Sequence, residues 1–195
     1  MRKRTHIWLM RREPFMLSEK RKKEIETIVD KIISEHQLGR PGFDLVAFLT
    51  EEEQFKVGMR KLDKDTTGIL LVNEQKSISD TNAHRLIVIN SRLGEEPNFY
   101  ERRRFIAAHE YGHFILHYDG NEIFAHRDYS EKEEPAEEEA DYFARCLLMP
   151  RRLVKIAIEL WGIEDAPIDE KALVLSETFK VTKKKARQRL IEDLT

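Results

Sequence analysis

The feature that most constrains this chain is the segment HEYGH at residues 109–113, which has the pattern H-E-x-x-H. Two histidines four positions apart lie on one face of an α-helix, with Cβ atoms about 5–6 Å apart. In that position both imidazoles can bind a single zinc ion. Glu110 lies on the adjacent flank, where a carboxylate can take a proton from a water molecule at the metal. The motif therefore requires a helix here and indicates a zinc-dependent peptidase.

The residues around the motif favour such a helix. Asn98 is a candidate N-cap, and no Pro or Gly occurs between it and Gly112. The β-branched run at residues 85–90 predicts a strand just upstream, which is the order found in zinc peptidases. Apolar residues at helical spacing give the helix a side to bury: Phe105, Ala108, Gly112 and Ile115 or Leu116.

A zinc peptidase needs a third protein ligand and an open fourth position. The metzincin extension is absent, because it needs Gly and His where the chain has Leu116 and Asp119, and no H-x-x-E-H motif occurs. The remaining option is a glutamate on a second helix. Residues 137–149, EEEADYFARCLLM, are suited to a helix that ends at Pro150.

The start of that second helix contains several carboxylates. Glu137 and Asp141 lie one turn apart, so we predict that Glu137 binds the metal. Asp141 is then expected to accept the other N–H of a zinc-bound histidine and to fix its tautomer. Glu138 and Glu139 are rival ligands, and they point about 100° and 200° away from Glu137 around the helix.

Taken together, HEYGHFILH and EEEADYFARCLLMP resemble the ImmA/IrrE family of metallopeptidases. Its members carry H-E-x-G-H-x-x-x-H followed by E-x-x-A-[ND]-x-F-A-x-x-L-L-M-P. The resemblance runs over residues 43–150 and is weaker beyond. Asp141 stands where Asn is usual, and Cys146 where a small or polar residue is common. The matching residues are His109, Glu110, Gly112, His113, His117, Glu137, Ala140, Asp141, Phe143, Ala144, Leu147, Leu148, Met149 and Pro150.

The resemblance implies a gluzincin-like core with one Zn²⁺ per chain and a cytoplasmic endopeptidase. Members cleave or inactivate a helix-turn-helix repressor, which releases genes for stress, defence or mobile elements. A repressor of that kind is therefore the expected substrate. The alternative is a non-proteolytic, zinc-containing module that binds DNA or a regulator. The open three-ligand site favours the enzyme, because structural zinc sites usually have four protein ligands.

Apolar patterns along the chain predict an α+β fold in which a small antiparallel sheet packs with helices. We expect a mobile basic arm at 1–17, the metallopeptidase domain at 18–160 and a helical extension at 161–195. The first helix should end at Gly39, and Asp44 should cap the second. The predicted helices at this end are 18–38 and 45–55, and the predicted strands are 56–59, 68–73 and 86–89.

Charge and cysteine content restrict where the chain works. Charged residues are 36% of the total, but the formal net charge is only −2, so the whole chain is not an obvious polyanion binder. One cysteine excludes an internal disulfide and is typical of a reducing compartment. No apolar run approaches the ~20 residues of a membrane-spanning helix. The apolar run at residues 7–10 is too short for a signal-peptide core, so we expect a cytoplasmic protein without a membrane partner.

A polar loop over residues 119–135 joins the two predicted metal-binding helices. Loops of this length are usually functional or disordered, so it could form a lid over the cleft. For His117, a contact with substrate or with a ligand and a buried or capping role are equal alternatives. For the other candidates, an ordinary loop or surface position is the favoured alternative. The candidates for substrate or transition-state contacts are His117, Tyr118, His126 and Tyr129.

Two further helices are predicted at 168–179 and 182–194, joined by Lys180 and Val181 and capped by Asp169 and Thr182. The pattern resembles a helix-turn-helix with a basic second helix. A solvated helix whose basic face docks on the chain's own acidic run is the favoured alternative. The candidate nucleic-acid contacts are Lys183, Lys184, Lys185, Arg187 and Arg189.

The predicted reaction is peptide hydrolysis. Glu110 acts as general base and then passes its proton to the leaving amine. The strand at residues 86–89 is expected to pair with an extended substrate by strand addition.

Overall fold

The computed structural model of the chain describes residues 16–78, 82–120, 123–124 and 134–194. Helix α3 is central, because it packs on two strands of a sheet and on helix α4. None of the helices in these ranges is long and apolar enough to span a membrane. The elements are α1 (Glu19–Glu35), α2 (Leu45–Ala47) with a π-helical turn (Phe48–Glu52), β1 (Phe55–Arg60), β2 (Gly68–Val72), β3 (Arg85–Asn90), a 3₁₀ turn (Ser91–Glu95), α3 (Phe99–His117), β4 (Ile123–Phe124), α4 (Glu134–Leu148), α5 (Arg151–Trp161), α6 (Ile168–Phe179) and α7 (Lys183–Leu194).

The sheet is mixed and has the strand order β1-β3-β2-β4. A hairpin after β2 brings β3 back between β2 and β1, so that β3 is antiparallel to β2 and parallel to β1. The predicted α+β class is confirmed, but the predicted all-antiparallel sheet is wrong for this one pair. Because β3 has a strand on each side, its backbone is already paired. Our expectation that it would accept an extended substrate is therefore also wrong.

Helix α1 begins as predicted and ends earlier. The Ser18 side chain accepts a hydrogen bond from the Arg21 N–H at 3.2 Å, as an N-cap does. The helix stops at Glu35, because Gln37 takes a left-handed conformation with φ 55°. That turn lets the buried Leu38 donate its N–H to the carbonyl of Ile33. Gly39 therefore does not end the helix.

The second predicted helix is capped correctly but is too long. The Asp44 carboxylate accepts from the Ala47 N–H at 3.0 Å. The helical turns end at Glu52, and Gln54 has φ 57°. The chain leaves the helix here because Phe55, which is buried, starts strand β1.

Two aromatic contacts of Tyr111 set the rotation of helix α3. The ring of Tyr111 meets Phe48 edge-on at a centroid distance of 5.7 Å and Phe55 at 5.9 Å. Tyr111 is fully buried. His109 and His113 are two positions away on either side, about 200° around the helix. Burial of the tyrosine therefore turns both histidines away from the aromatic core.

The C-terminal helices form as predicted, although the first cap differs. Thr182 accepts from the Lys185 N–H at 3.4 Å, whereas α6 begins after Pro167 and leaves Asp169 inside its first turn. Helix α7 packs against α4. Leu17 is buried, and the rest of the predicted arm except Met16 lies outside the described residues. The predicted boundaries of the metallopeptidase domain, after residues 17 and 160, stay a prediction. Helices α6 and α7 pack on each other through a seam of buried apolar residues: Ala172, Leu175, Phe179, Val181, Ala186 and Leu190.

Candidate metal centre

Three predicted ligands meet where α3 and α4 pack together. The Nε2 atoms of His109 and His113 are 3.0 Å apart. The two carboxylate oxygens of Glu137 each lie 3.3 Å from one of these nitrogens. In a tetrahedral zinc site with bonds of about 2.0–2.1 Å, neighbouring ligand atoms are roughly 3.3 Å apart. The donor set and its spacing therefore fit zinc, and all three ligand atoms lie within 4.8 Å of one another.

Gly112 allows the two helices to approach this closely. A Cβ at this position would lie 3.0 Å from the Phe143 ring and 3.2 Å from the Ala140 carbonyl oxygen. Ala140 lies between Glu137 and Asp141 in the sequence of α4. The absence of a side chain at Gly112 therefore brings both carboxylates up to the histidines.

Asp141 orients His109. Its Oδ1 lies 3.0 Å from the Nδ1 of His109. Burial alone would raise the pKa of Asp141, but the hydrogen bond from His109 and the charge of Lys185 hold it well below its usual range. An ionised carboxylate only accepts hydrogen bonds, so Nδ1 carries the proton and Nε2 keeps its lone pair for the metal.

The environment of His109 attracts positive charge. Burial alone would lower the pKa of this imidazole, but the hydrogen bonds to Asp141 and Glu137 outweigh it and raise the pKa to about 9. The same carboxylates favour a metal cation at Nε2, because they interact with either positive charge.

A second chain of contacts orients His113. Its Nδ1 lies 3.2 Å from the Nδ1 of His117, and the Nε2 of His117 lies 3.1 Å from Glu139. Arg21 donates to the same Glu139 oxygen at 2.6 Å. Because Glu139 only accepts, His117 donates to it from Nε2 and accepts from His113 at Nδ1. Of the alternatives for His117, the structure places it in contact with a ligand.

The two rival carboxylates are engaged elsewhere. Glu138 accepts from Arg145 at 2.9 Å, and Glu139 is held by Arg21 and His117. Of the three neighbouring glutamates on α4, only Glu137 belongs to the metal-binding group found among the described residues.

Glu110 is buried beside the start of strand β2. A Cβ on Gly68 would lie 2.7 Å from its Oε1 and 2.5 Å from Ile106 Cγ2. Only a residue without a side chain leaves room for the carboxylate at this position. No sequence pattern singled out Gly68, because this contact joins two elements that are distant in the chain.

A cleft of about 470 Å³ opens beside the metal-binding group. It has an apolar wall on α3 and a basic rim contributed largely by α7. Arg102 on its edge pairs with Glu96. The lining residues are Thr67, Arg102, Phe105, Ile106, His109, Glu137, Asp141, Thr182, Lys184 and Lys185.

The remaining predicted contacts are not assembled at this centre. Tyr118 stacks on Phe114 with a centroid distance of 5.2 Å and is not among the described residues that line the cleft. His126 and Tyr129 lie outside the described residues, as does most of the predicted lid. Within that loop, Ile123–Phe124 forms a short strand that pairs with β2.

The basic helix α7 divides between the interior and the surface. Arg189 is 1% exposed and donates to the carbonyl of Met149, so it is removed from the predicted nucleic-acid contacts. Lys185 is turned inward onto Asp141 at 2.7 Å. Lys185 and Arg189 lie one turn apart, on the face of α7 that packs against α4 and the residue after it. The exposed members of the set are Lys183, Lys184 and Arg187.

Two kinds of comparison with known proteins bear on this site. The sequence profile of Peptidase_M78, described as the IrrE N-terminal-like domain, matches residues 53–190. The matched range begins just before β1 and ends within α7, so it includes every residue of the metal-binding group. No curated protein matches the chain.

Proposed function

The chain belongs to the Peptidase_M78 family, the IrrE N-terminal-like domain, and on that premise we propose that it is a zinc-dependent endopeptidase. The observation that carries the proposal is the grouping of His109, His113 and Glu137. Glu110 follows His109 directly on helix α3. Three protein ligands leave a coordination position open, as catalytic zinc sites do.

His109 and His113 would hold the ion through Nε2, and Glu137 through its carboxylate. When bound there, Zn²⁺ polarises a carbonyl and makes water a better nucleophile at neutral pH. Asp141 and His117 keep the two imidazoles in the tautomer that leaves both Nε2 lone pairs free.

Glu110 is the proposed general base. Its carboxylate accepts the proton of the attacking water and then delivers it to the nitrogen of the leaving amine. The packing of α3 on Gly68 holds the carboxylate in place. A carboxylate fixed in this way loses little freedom when the substrate arrives.

We propose that an extended substrate pairs with the outer edge of β2. Its residues 71–72 pair with β4, and residues 68–70 have no strand on that side among the described parts of the chain. This edge starts at Gly68, beside Glu110. Backbone pairing here would bring a peptide to the proposed base.

We further propose that the substrate is a regulatory protein of the cytoplasm, specifically a helix-turn-helix repressor whose cleavage switches on stress, defence or mobile-element genes. The support is the likeness of both motifs to the ImmA/IrrE metallopeptidases. The alternative function, DNA or regulator binding without proteolysis, is supported by the exposed cations Lys183, Lys184 and Arg187 on α7.

The zinc content of matched variants tests whether the three proposed ligands bind the metal. By mass spectrometry, the purified wild-type chain should carry about one zinc, and Glu137→Ala should lose most of it. Glu138→Ala is the control, because that neighbouring side chain faces Arg145 and should leave zinc binding unchanged.

The role of the base is tested separately with a candidate repressor. Glu110→Gln should keep zinc and the fold while its cleavage rate falls by a factor of about 100 or more. Normal turnover in this variant would contradict the assignment of Glu110. A wild-type chain that takes up no zinc would contradict the peptidase proposal and favour the binding module.

A further inference from the structure

We propose that Lys185 on α7 is a positioning residue of the metal centre, acting through Asp141 on His109. The inference rests on the proposed function. The Nζ atom of Lys185 lies 2.7 Å from Oδ2 of Asp141, and the other oxygen of that carboxylate lies 3.0 Å from Nδ1 of His109. A chain of two contacts thus joins the predicted C-terminal extension to a metal ligand.

Lys185 differs from the other cation on the same carboxylate. Arg145 also donates to Oδ2 of Asp141, at 3.2 Å, but it is shared with Glu138 at 2.9 Å and Glu192 at 2.7 Å. Lys185 pairs with Asp141 alone among the described ion pairs. Its charge is therefore directed at the carboxylate that orients His109.

The position of Lys185 is fixed both at its ammonium group and at its backbone. It lies 3.9 Å from the centroid of the Phe105 ring, a cation–π contact with the residue one helical turn before His109. The Lys185 backbone is fixed at the start of α7 by the Thr182 cap. The next residue, Ala186, is fully buried in the α6–α7 seam. Lys185 therefore contacts both helices that supply metal ligands.

This geometry gives α7 a part in metal binding. With Lys185 in place, Asp141 has a cation on one oxygen and stays oriented to accept the His109 N–H with the other. Without it, the carboxylate keeps only the shared Arg145 and can turn away from the imidazole. Loss of a partner that orients a metal-binding histidine typically lowers metal affinity about 10–100-fold.

The test measures zinc affinity by competition with a chromophoric chelator, using the full chain without substrate. Lys185→Met should weaken zinc binding about tenfold, and Lys185→Arg should restore most of the affinity. Lys183→Met is the matched control, since this lysine of the same helix is exposed, does not line the cleft and is not among the described partners of Asp141. It should bind zinc like the wild type.

A double-mutant cycle shows whether Lys185 acts through Asp141. Asp141→Asn should weaken zinc binding, and adding Lys185→Met to it should cause no further loss. Thermal unfolding of the zinc-free variants shows whether a loss of zinc affinity comes from a less stable fold or from a displaced Asp141 carboxylate. If Lys185→Arg restores the melting temperature without restoring zinc affinity, the role is structural and the inference is wrong.

Two other outcomes would also overturn it. They are unchanged zinc affinity in Lys185→Met, and independent, additive losses in the double variant. These results would leave the peptidase proposal intact, because the ligands are unaltered. A wild-type chain without zinc affinity would overturn both.

Discussion

At the scale of single residues, the centre depends on side chains that orient other side chains. His109 is held by a carboxylate and His113 by a second imidazole. The proposed base, Glu110, has a different kind of support, which is the packing of helix α3 on a strand residue without a side chain. A methyl group added at Gly68 would therefore displace the Glu110 carboxylate.

Gly68→Ala tests that packing. The new methyl would lie 2.7 Å from Glu110 Oε1 and 2.5 Å from Ile106, so both side chains must move. We expect cleavage to fall about 100-fold, because a displacement of about 1 Å at a catalytic group has that effect. Zinc content should be unchanged. The control is Gly58→Ala on β1, where nothing lies within 4 Å of the new Cβ. Equal activity of the two variants would show that Glu110 tolerates the displacement.

At the scale of elements, the centre is a contact between two helices. α3 supplies both histidines and α4 supplies Glu137 and Asp141, and the spacing between the helices sets the distance between ligands. At Gly112 the two helices lie too close together for a side chain to fit without a shift. The Ala140 backbone on the opposite side cannot rotate away as a flexible side chain could, so α4 as a whole must respond to any added bulk.

Gly112→Ala should separate the two helices. The added Cβ would lie 3.0 Å from Phe143 and 3.2 Å from the Ala140 oxygen. We expect a loss of about 1–2 kcal/mol in the free energy of unfolding, measured with denaturant, because overpacking outweighs the better helix propensity of alanine. Zinc affinity should fall with it. Gly94→Ala, which meets open space, is the control. A variant more stable than wild type, with normal zinc affinity, would contradict close packing at this point.

At the scale of the whole molecule, one partly buried carboxylate joins four helices. Glu26 of α1 accepts from Tyr142 of α4 at 2.9 Å, from Arg151 of α5 at 3.0 Å and from Arg189 of α7 at 3.4 Å. Burial opposes its ionisation, but these three donors together hold its pKa below the usual value. The ionised form therefore stabilises the arrangement of the helices around α4.

The stability of the chain should depend on pH through Glu26. Because the pKa of Glu26 is lowered in the folded chain, its contribution is present above the unfolded pKa of about 4.3 and is lost as pH falls through the folded pKa. Glu26→Gln should lower the free energy of unfolding by about 1 kcal/mol at neutral pH, with a smaller difference in acid. Glu35→Gln, exposed on the same helix, is the control. A difference that stays constant with pH would show that the charge of Glu26 contributes nothing.

Much of the centre could be predicted because its geometry is local. His109 and His113 share a face of any helix that contains them, and Glu137 and Asp141 do the same on α4. Apolar periodicity also placed the strands and the C-terminal helices near their observed positions. The predicted ends of the first two helices were wrong, because distant contacts outweighed local preference there. The chain turns at Gln37 and Gln54 so that the neighbouring Leu38 and Phe55 can be buried.

By itself, the sequence determined the helix with the two histidines, the helix with Glu137 and Asp141, and the spacing of these side chains along each helix, since a helix relates residues within two turns. The tertiary structure alone decided the order and direction of the strands, which depend on where a hairpin returns. It also decided which cations reach the centre: Lys185 is 44 residues from Asp141, and Arg21 is 118 residues from Glu139. No local pattern encodes such pairs, because they form only when burial of the apolar faces has brought separate helices together.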